Sequence, residues 1–180
     1  MSTLKVDTIL KRTGTGTITV GQSGDTIDLS NPTSVTLNND MKNVPAVLVT
    51  NSGNQSIGNS SSTLVTFDTE TIDTDSAFAS NTFTVPSGKG GMYFISFRGS
   101  MSGIDAGEFI QIRIYLNGSE SNFFENRMTA YTTDVEFKFS GSGALNLSAG
   151  DTIKYYVFQN SGDSQNLNSA GLYIFRLVGA

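Results

Sequence analysis

Thr82-Phe83-Thr84-Val85-Pro86-Ser87-Gly88-Lys89-Gly90-Gly91-Met92-Tyr93-Phe94-Ile95-Ser96-Phe97 is the stretch on which the fold turns. It predicts a strand, a glycine-bearing reversal and a second strand. Pro86 lacks the N–H that a central ladder needs, so it belongs at a strand end or edge. Gly88, Gly90 and Gly91 let the chain turn back. After the reversal, Tyr93, Ile95 and Phe97 fall on one face and Met92 and Phe94 on the other, because strand side chains alternate. A strand apolar on both faces lies inside something larger than one half-solvated sheet.

The same period continues on either side. Pro45 to Thr50 and Leu64 to Phe67 predict strands. In Glu108 to Leu116, Ile110, Ile112, Ile114 and Leu116 oppose Gln111, Arg113 and Tyr115, the pattern of a strand with one wet face. Asn117-Gly118 then predicts a two-residue hairpin, since both residues tolerate positive φ, and Phe123-Phe124 opens the return. Val135, Phe137 and Phe139 alternate with Glu136 and Lys138. Leu145-Asn146-Leu147 leads into the turn Ser148-Ala149-Gly150-Asp151, after which Ile153, Tyr155 and Val157 share a face. Leu172 to Val178 is again apolar on both sides, Leu172 and Ile174 against Tyr173, Phe175 and Leu177. The polar runs Asn51 to Ser62 and Asn160 to Ser169, and the acidic run Asp68 to Ser76, read as loops. Eight or more short strands without a helical period predict an all-β sandwich. One face of each double-sided strand fills the core. The other, carrying Met92, Phe94, Tyr173, Phe175 and Leu177, is covered either by aromatics of the same chain or by a symmetric copy.

The first 42 residues read differently. In residues 1–12, Leu4, Val6, Ile9 and Leu10 form a short apolar segment that is either a frayed end or an anchor ordering on another protein. In 13–42, Ile18-Thr19-Val20, Ile27-Asp28-Leu29 and Val35-Thr36-Leu37 recur at offsets of 9 and 8 residues. This is either a narrow β-ladder wound from several chains into a stalk or an extended polar linker. The division is therefore an anchor over 1–12, a stalk over 13–42 and a domain over 43–180.

Composition limits the chemistry. The 180 residues include no Cys and no His, which excludes thiolate and imidazole metal sites and Ser-His or Cys-His catalysis. A net charge of −5 with scattered Lys and Arg argues against a nucleic-acid surface or an anionic-lipid patch. No run is long and apolar enough for a membrane helix, and the opening lacks the apolar core of a signal peptide, so neither membrane insertion nor the usual export is expected.

Three features together resemble the C1q/TNF-like jelly roll. Thr82-Phe83-Thr84-Val85-Pro86 followed by Gly91-Met92-Tyr93-Phe94 is similar to that family's Phe-Thr-Val-Pro…Gly-x-Tyr-Tyr-Phe signature. Leu145 to Ile153 is similar to its Leu-x-Leu-x-x-Gly-Asp-x-Val turn, and Leu172 to Val178 sits where its closing strand ends the domain. Two extra residues lengthen the turn after Pro86, and no collagen repeat precedes the domain. The resemblance, over roughly 44–180, implies a ten-stranded jelly roll that trimerises about a three-fold axis. The strands at Met92–Met101 and Leu172–Val178 would line that axis, and the far-end loops, Ser119 to Thr132 among them, would meet other molecules. The opening Ser2 to Ile9 with its Gly/Thr-rich ladder resembles the start of virion structural proteins of marine bacteriophages.

Chemical candidates are sparse. Asp68, Glu70, Asp73 and Asp75 form either a solvated acidic loop or an oxygen set for Ca²⁺, the one cofactor the sequence suggests. Tyr115, Phe123, Phe124 and Tyr131 are candidate sugar-stacking aromatics, or core and subunit contacts. Glu120 with Glu125 has the residue types of a glycosidase pair, but a chain with 16 acids offers many such pairs. No nucleophile–base set or cofactor motif is present, so an enzyme is not expected. Two functions remain: a trimeric virion fibre or decoration protein, docked on other virion proteins by its N-terminus and contacting host-surface carbohydrate, or a secreted or surface lectin-like module.

Overall fold

A computed structural model describes residues 45–179, position 134 excepted. The anchor and stalk expected over 1–42, with Leu4, Val6, Ile9 and Leu10, lie outside the described residues.

The described residues form twelve strands and no helix. In chain order they are β1 (Ala46–Asn51), β2 (Gln55–Ile57), β3 (Thr63–Leu64), β4 (Thr69–Asp73), β5 (Phe78–Ala79), β6 (Thr82–Thr84), β7 (Gly91–Ile104), β8 (Phe109–Leu116), β9 (Ser119–Thr129), β10 (Val135–Leu147), β11 (Thr152–Gln159) and β12 (Gln165–Gly179). They pair antiparallel into two sheets. The first has the order β10-β7-β12-β1-β4, with β2 also paired to β12. The second has the order β5-β6-β11-β8-β9, with β3 also paired to β11. Packed face to face, the sheets make a jelly-roll sandwich.

The alternation read in the sequence decides which side chains fill the interior. Tyr93, Ile95, Phe97 and Met101 of β7, and Leu172 and Ile174 of β12, are buried from the first sheet. Ile110, Ile112 and Ile114 of β8, and Ile153, Tyr155 and Val157 of β11, are buried from the second. Aromatic pairs bridge the layers: Phe97 meets Tyr155 at 5.6 Å and Phe83 meets Tyr93 at 5.7 Å between ring centroids. The Tyr93 hydroxyl donates to the Lys89 carbonyl oxygen at 2.6 Å, whereas the buried Tyr155 hydroxyl has no partner among the described residues. Burial pushes the Tyr93 phenol up to about 12, with nearby Arg176 opposing the shift. Burial also raises the fully enclosed Tyr155.

Glycines keep β7 and β10 in register. Phe97 pairs with Gly141 and Gly99 pairs with Phe139. A Cβ on Gly99 would come within 2.5 Å of the Phe139 ring, and one on Gly141 would run into the Phe97 ring. Each phenylalanine lies across the glycine opposite, so the ring covers bare backbone that water would otherwise reach.

The two sequence signatures meet in space. Val85 N–H donates to the Asp151 carbonyl oxygen at 2.9 Å, and Gly150 N–H donates to that of Val85 at 2.9 Å. Asn117 and Gly118 have φ of 52° and 80°, as their hairpin requires. The Asn117 amide donates to Asp151 Oδ1 at 2.8 Å, and its oxygen accepts from Thr152 N–H at 2.8 Å. One asparagine thus ties the β8–β9 hairpin to the turn before β11.

Four segments differ from the sequence expectation. The acidic run contains the edge strand β4, whose exposed Glu70 is the kind of charge that keeps an edge from stray pairing. The run Asn51 to Ser62 contains β2, held by Gln55, whose amide donates to Leu64 O at 2.7 Å and whose oxygen accepts from Thr66 N–H at 2.9 Å. The expected Asn160–Ser169 loop gives way at Gln165 to β12, where Leu167 is buried. Most of the expected Ser119–Thr132 loop is strand β9.

Candidate assembly face

The outward side of the first sheet is the candidate site. Alternation there sends Met92 and Phe94 of β7 and Tyr173 and Phe175 of β12 away from the core. Register lines them up with residues of adjoining strands: Phe175 lies between Phe94 and Ala46, and Tyr173 between Ser96 and Leu48, with Ile72 next to Leu48. Phe94 and Phe175 rings stand 5.1 Å apart. A β-bulge between Arg176 and Val178 adds Leu177. Met92 is 37% exposed, Leu177 38% and Ile72 43%, while Phe94, Tyr173 and Phe175 are half-buried by their strand neighbours. Among the described residues no strand lies over this face. A dip of about 320 Å³ lined by Leu48, Ile72, Tyr173 and Phe175 marks its β4 side.

All five residues expected to need cover from a copy, Met92, Phe94, Tyr173, Phe175 and Leu177, therefore lie on one continuous apolar patch. Sequence reasoning missed Leu48 and Ile72. Ile72 was hidden because β4 was read as a loop, and Leu48, though in a predicted strand, shows as outward only once β1 is paired with β12.

Further along the same face the chemistry changes. A depression of about 490 Å³ is lined by Thr50, Arg98, Ser100, Lys138 and Ser169. The Ser100 and Ser169 hydroxyls stand 2.9 Å apart. Arg98 lies over Tyr173, 5.5 Å from the ring centroid, which joins the cationic region to the apolar one. Lys138 has an exposed neighbour, Glu136, at 3.9 Å. Arg98 was legible as the next outward position after Phe94 and Ser96, but a lone arginine on a surface strand carries no signal by itself.

The other sequence candidates are not brought together. Asp73 spends both carboxylate oxygens on Ala77 and Phe78 N–H, at 2.7 and 3.0 Å. Asp68 accepts from Ser52 N–H and hydroxyl and from the Thr69 hydroxyl. The Ser52 backbone bond, then that from Thr69, holds the Asp68 carboxyl below its ordinary range. Asp75 accepts from the Thr74 hydroxyl at 2.9 Å. Among the described residues, Asp68, Glu70, Asp73 and Asp75 supply no group of three carboxylates placed to share an ion. The three aspartates bond neighbouring turn residues instead, which is the competing use of Asp in turns.

Tyr115 packs on Tyr156 at 4.3 Å on the outward side of the second sheet. Tyr131 is 96% exposed beyond β9. Ala130 N–H donates to the Glu108 carbonyl, which sets Tyr131 at the start of β8 while Tyr115 is near its end, roughly 20 Å apart at the usual rise per residue. Phe123 and Phe124 lie in β9, but their side chains fall outside the described residues. The same outward face carries a feature the sequence did not announce: Arg127 over Phe109 at 3.6 Å and Arg113 over Phe158 at 4.6 Å. Arg113 also pairs with Glu120 at 3.2 Å, so Glu120 serves an ion pair in this fold.

No family model matches the sequence, and no curated protein matches it. Solved structures do. The globular domain of zebrafish complement 1qA protein aligns with a TM-score of 0.56 at 19% identity, over 76% of this chain and 100% of that one. Eiger TNF from S. frugiperda aligns with a TM-score of 0.56 at 15% identity, over 77% of this chain and 96% of that one. The fold is therefore a C1q/TNF-like jelly roll.

Proposed function

We propose that this chain is a homotrimeric virion structural protein. The jelly roll of 43–180 is an outward knob, 13–42 a ladder stalk, and 1–12 the segment that docks on other virion proteins of a phage capsid or tail. The protein is assembled in the host cytoplasm, resides in the virion as a fibre or decoration, and makes weak contact with host-surface carbohydrate. It is not an enzyme.

The observation that carries the assembly half of this reading is the apolar face of Met92, Phe94, Tyr173, Phe175, Leu177 and Ile72, left open by the described part of one protomer. An exposed patch of this kind marks an interaction surface, and sharing it around an axis shields every copy at once. The resemblance to the three-fold C1q/TNF family supports the number of copies, and the phage-like opening supports the virion.

Sedimentation equilibrium of the full chain tests the first half. The expected mass is three times the 19.2 kDa of one chain, and Phe175→Glu is expected to release folded single protomers. A wild-type protomer would overturn it. Copurification with phage particles, lost when residues 1–12 are deleted while the trimer persists, tests the second half. Glycan binding that survives the deletion, with no particle association, would favour the secreted or surface lectin-like module, a reading that the similarity to a C1q globular domain keeps in view.

A further inference from the structure

The outward face of the first sheet changes character partway along its strands. On β7 the outward row runs Met92, Phe94, Ser96, Arg98, Ser100, so the apolar side chains give out before Arg98. Register sets the end of this row beside small residues of β12, Gly171 against Arg98 and Ser169 against Ser100. On β10, Lys138 stands against Ser100. Small residues between long ones leave the depression of about 490 Å³ bounded by Arg98, Lys138 and Thr50, a size that suits a small-molecule site.

Its chemistry is lopsided. Arg98 lies across Gly171, where a Cβ would come within 3.1 Å of its Nε, and over the Tyr173 ring. The guanidinium is thereby held in place, yet it makes no hydrogen bond or ion pair among the described residues. Lys138 has Glu136 at 3.9 Å, an exposed pair that holds it loosely. Ser100 is only 8% exposed, and its hydroxyl shares one hydrogen bond with that of Ser169. Neither hydroxyl has another partner among the described residues. Two hydroxyls carry two protons and that bond uses one, so one is left to donate. Among the described residues no carboxylate lines the depression. Asp68, bonded to Ser52 at the rim, has its oxygens engaged by Ser52 and Thr69. Asp68 and Glu136 offset the two cations, so the surplus is one of donors rather than of net charge. A matching occupant presents an acid group to the Arg98 fork and further oxygens to the lysine and the serines.

We propose that this depression binds an acidic sugar, its carboxylate or sulfate on Arg98 and its ring hydroxyls on Lys138, Ser100 and Ser169. This rests on the carbohydrate-contact reading above and names the class of saccharide. The balance of charge makes the contact weak and dependent on the whole ring rather than on the acid group alone.

The experiment is a ligand-observed NMR titration of the full chain with glucuronate, galacturonate and glucose 6-sulfate, beside glucose, galactose and acetate at one ionic strength. At least one acidic sugar is expected to bind about tenfold or more tightly than its neutral counterpart and than acetate. Arg98→Gln should weaken that binding by about tenfold or more, the worth of a charged hydrogen bond. Arg127→Gln, on the other sheet, should leave it unchanged. Circular dichroism and sedimentation equilibrium check that each variant folds and assembles. If neutral sugars bind and the acidic ones bind no better, the carbohydrate reading stands and this inference falls. If no sugar binds, both fall. If acetate matches the acidic sugars, or Arg98→Gln binds as wild type does, the inference is overturned. If only the Phe175→Glu protomer binds, assembly closes the depression and the inference is overturned as well.

Discussion

Two tyrosines face the same core, and their hydroxyls are in opposite circumstances. The Tyr155 hydroxyl is buried without a partner among the described residues. The Tyr93 hydroxyl donates to Lys89 O at 2.6 Å. Replacing each by phenylalanine should therefore change stability in opposite directions. A buried unmet polar group costs about 1–3 kcal/mol. Removing the Tyr155 oxygen forfeits a handful of contacts worth about 0.1–0.2 kcal/mol each. Tyr155→Phe is thus expected to stabilise the fold by about 1 kcal/mol. Tyr93→Phe gives up a satisfied hydrogen bond and is expected to destabilise it by about 1 kcal/mol. The assay is urea unfolding followed by far-ultraviolet circular dichroism, since the sequence has no tryptophan. Protein concentration is held fixed because association shifts the midpoint. A Tyr155→Phe protein less stable than wild type by as much as Tyr93→Phe would refute the reasoning, because the hydroxyl would then have a partner.

Further outcomes follow from the same geometry. Gly141→Ala pushes a methyl into the Phe97 ring, which Tyr155 backs at 5.6 Å, and urea unfolding should show a loss of about 1–3 kcal/mol. Asn117→Ala removes the side chain that bonds Asp151 and Thr152 and forces alanine to a φ of 52°; the cost should be about 1–2 kcal/mol, read the same way. Stability should also fall at alkaline pH. The Tyr93 phenol is raised from 10.0 to about 12 on folding, so the folded state holds its proton more tightly. Its contribution is complete below the unfolded value of 10.0 and is lost as pH climbs towards about 12. In thermal melts across that window, Tyr93→Phe should show a shallower decline than wild type.

Much of the fold was legible because its strongest signals are alternation and turn chemistry. Ile110, Ile112 and Ile114, and Tyr93, Ile95 and Phe97, are buried as their period selects, although Gln111 on the expected wet face is buried too, and Asn117-Gly118 makes the hairpin it announces. The β5–β6 hairpin went unread although it is equally tight: Ser80 and Asn81 take φ of 50° and 59° without a glycine to advertise it. β2 and β4 were hidden by Ser, Asn and Asp, whose local preference is for loops. Pairing with neighbouring strands overrides that preference. The apolar half of the assembly face was visible in the second period of Phe94 and Phe175. Its cationic half was not, because Arg98 and Lys138 are 40 positions apart in the sequence and become neighbours only through the β7–β10 ladder. Tyr115 and Tyr131 stand apart for the converse reason: closeness along the chain does not survive a strand, and β8 carries Tyr115 away from Tyr131.

The interlocked Phe97–Gly141 and Gly99–Phe139 pairs reach beyond local packing. A slip of one position between β7 and β10 would take each ring off its glycine and turn the face of the strand, so the pairs hold a single alignment. Every finished molecule then presents its external spacing of aromatic and basic groups in the same order. In the proposed trimer such uniformity matters, because every copy would have to offer its neighbours the same surface.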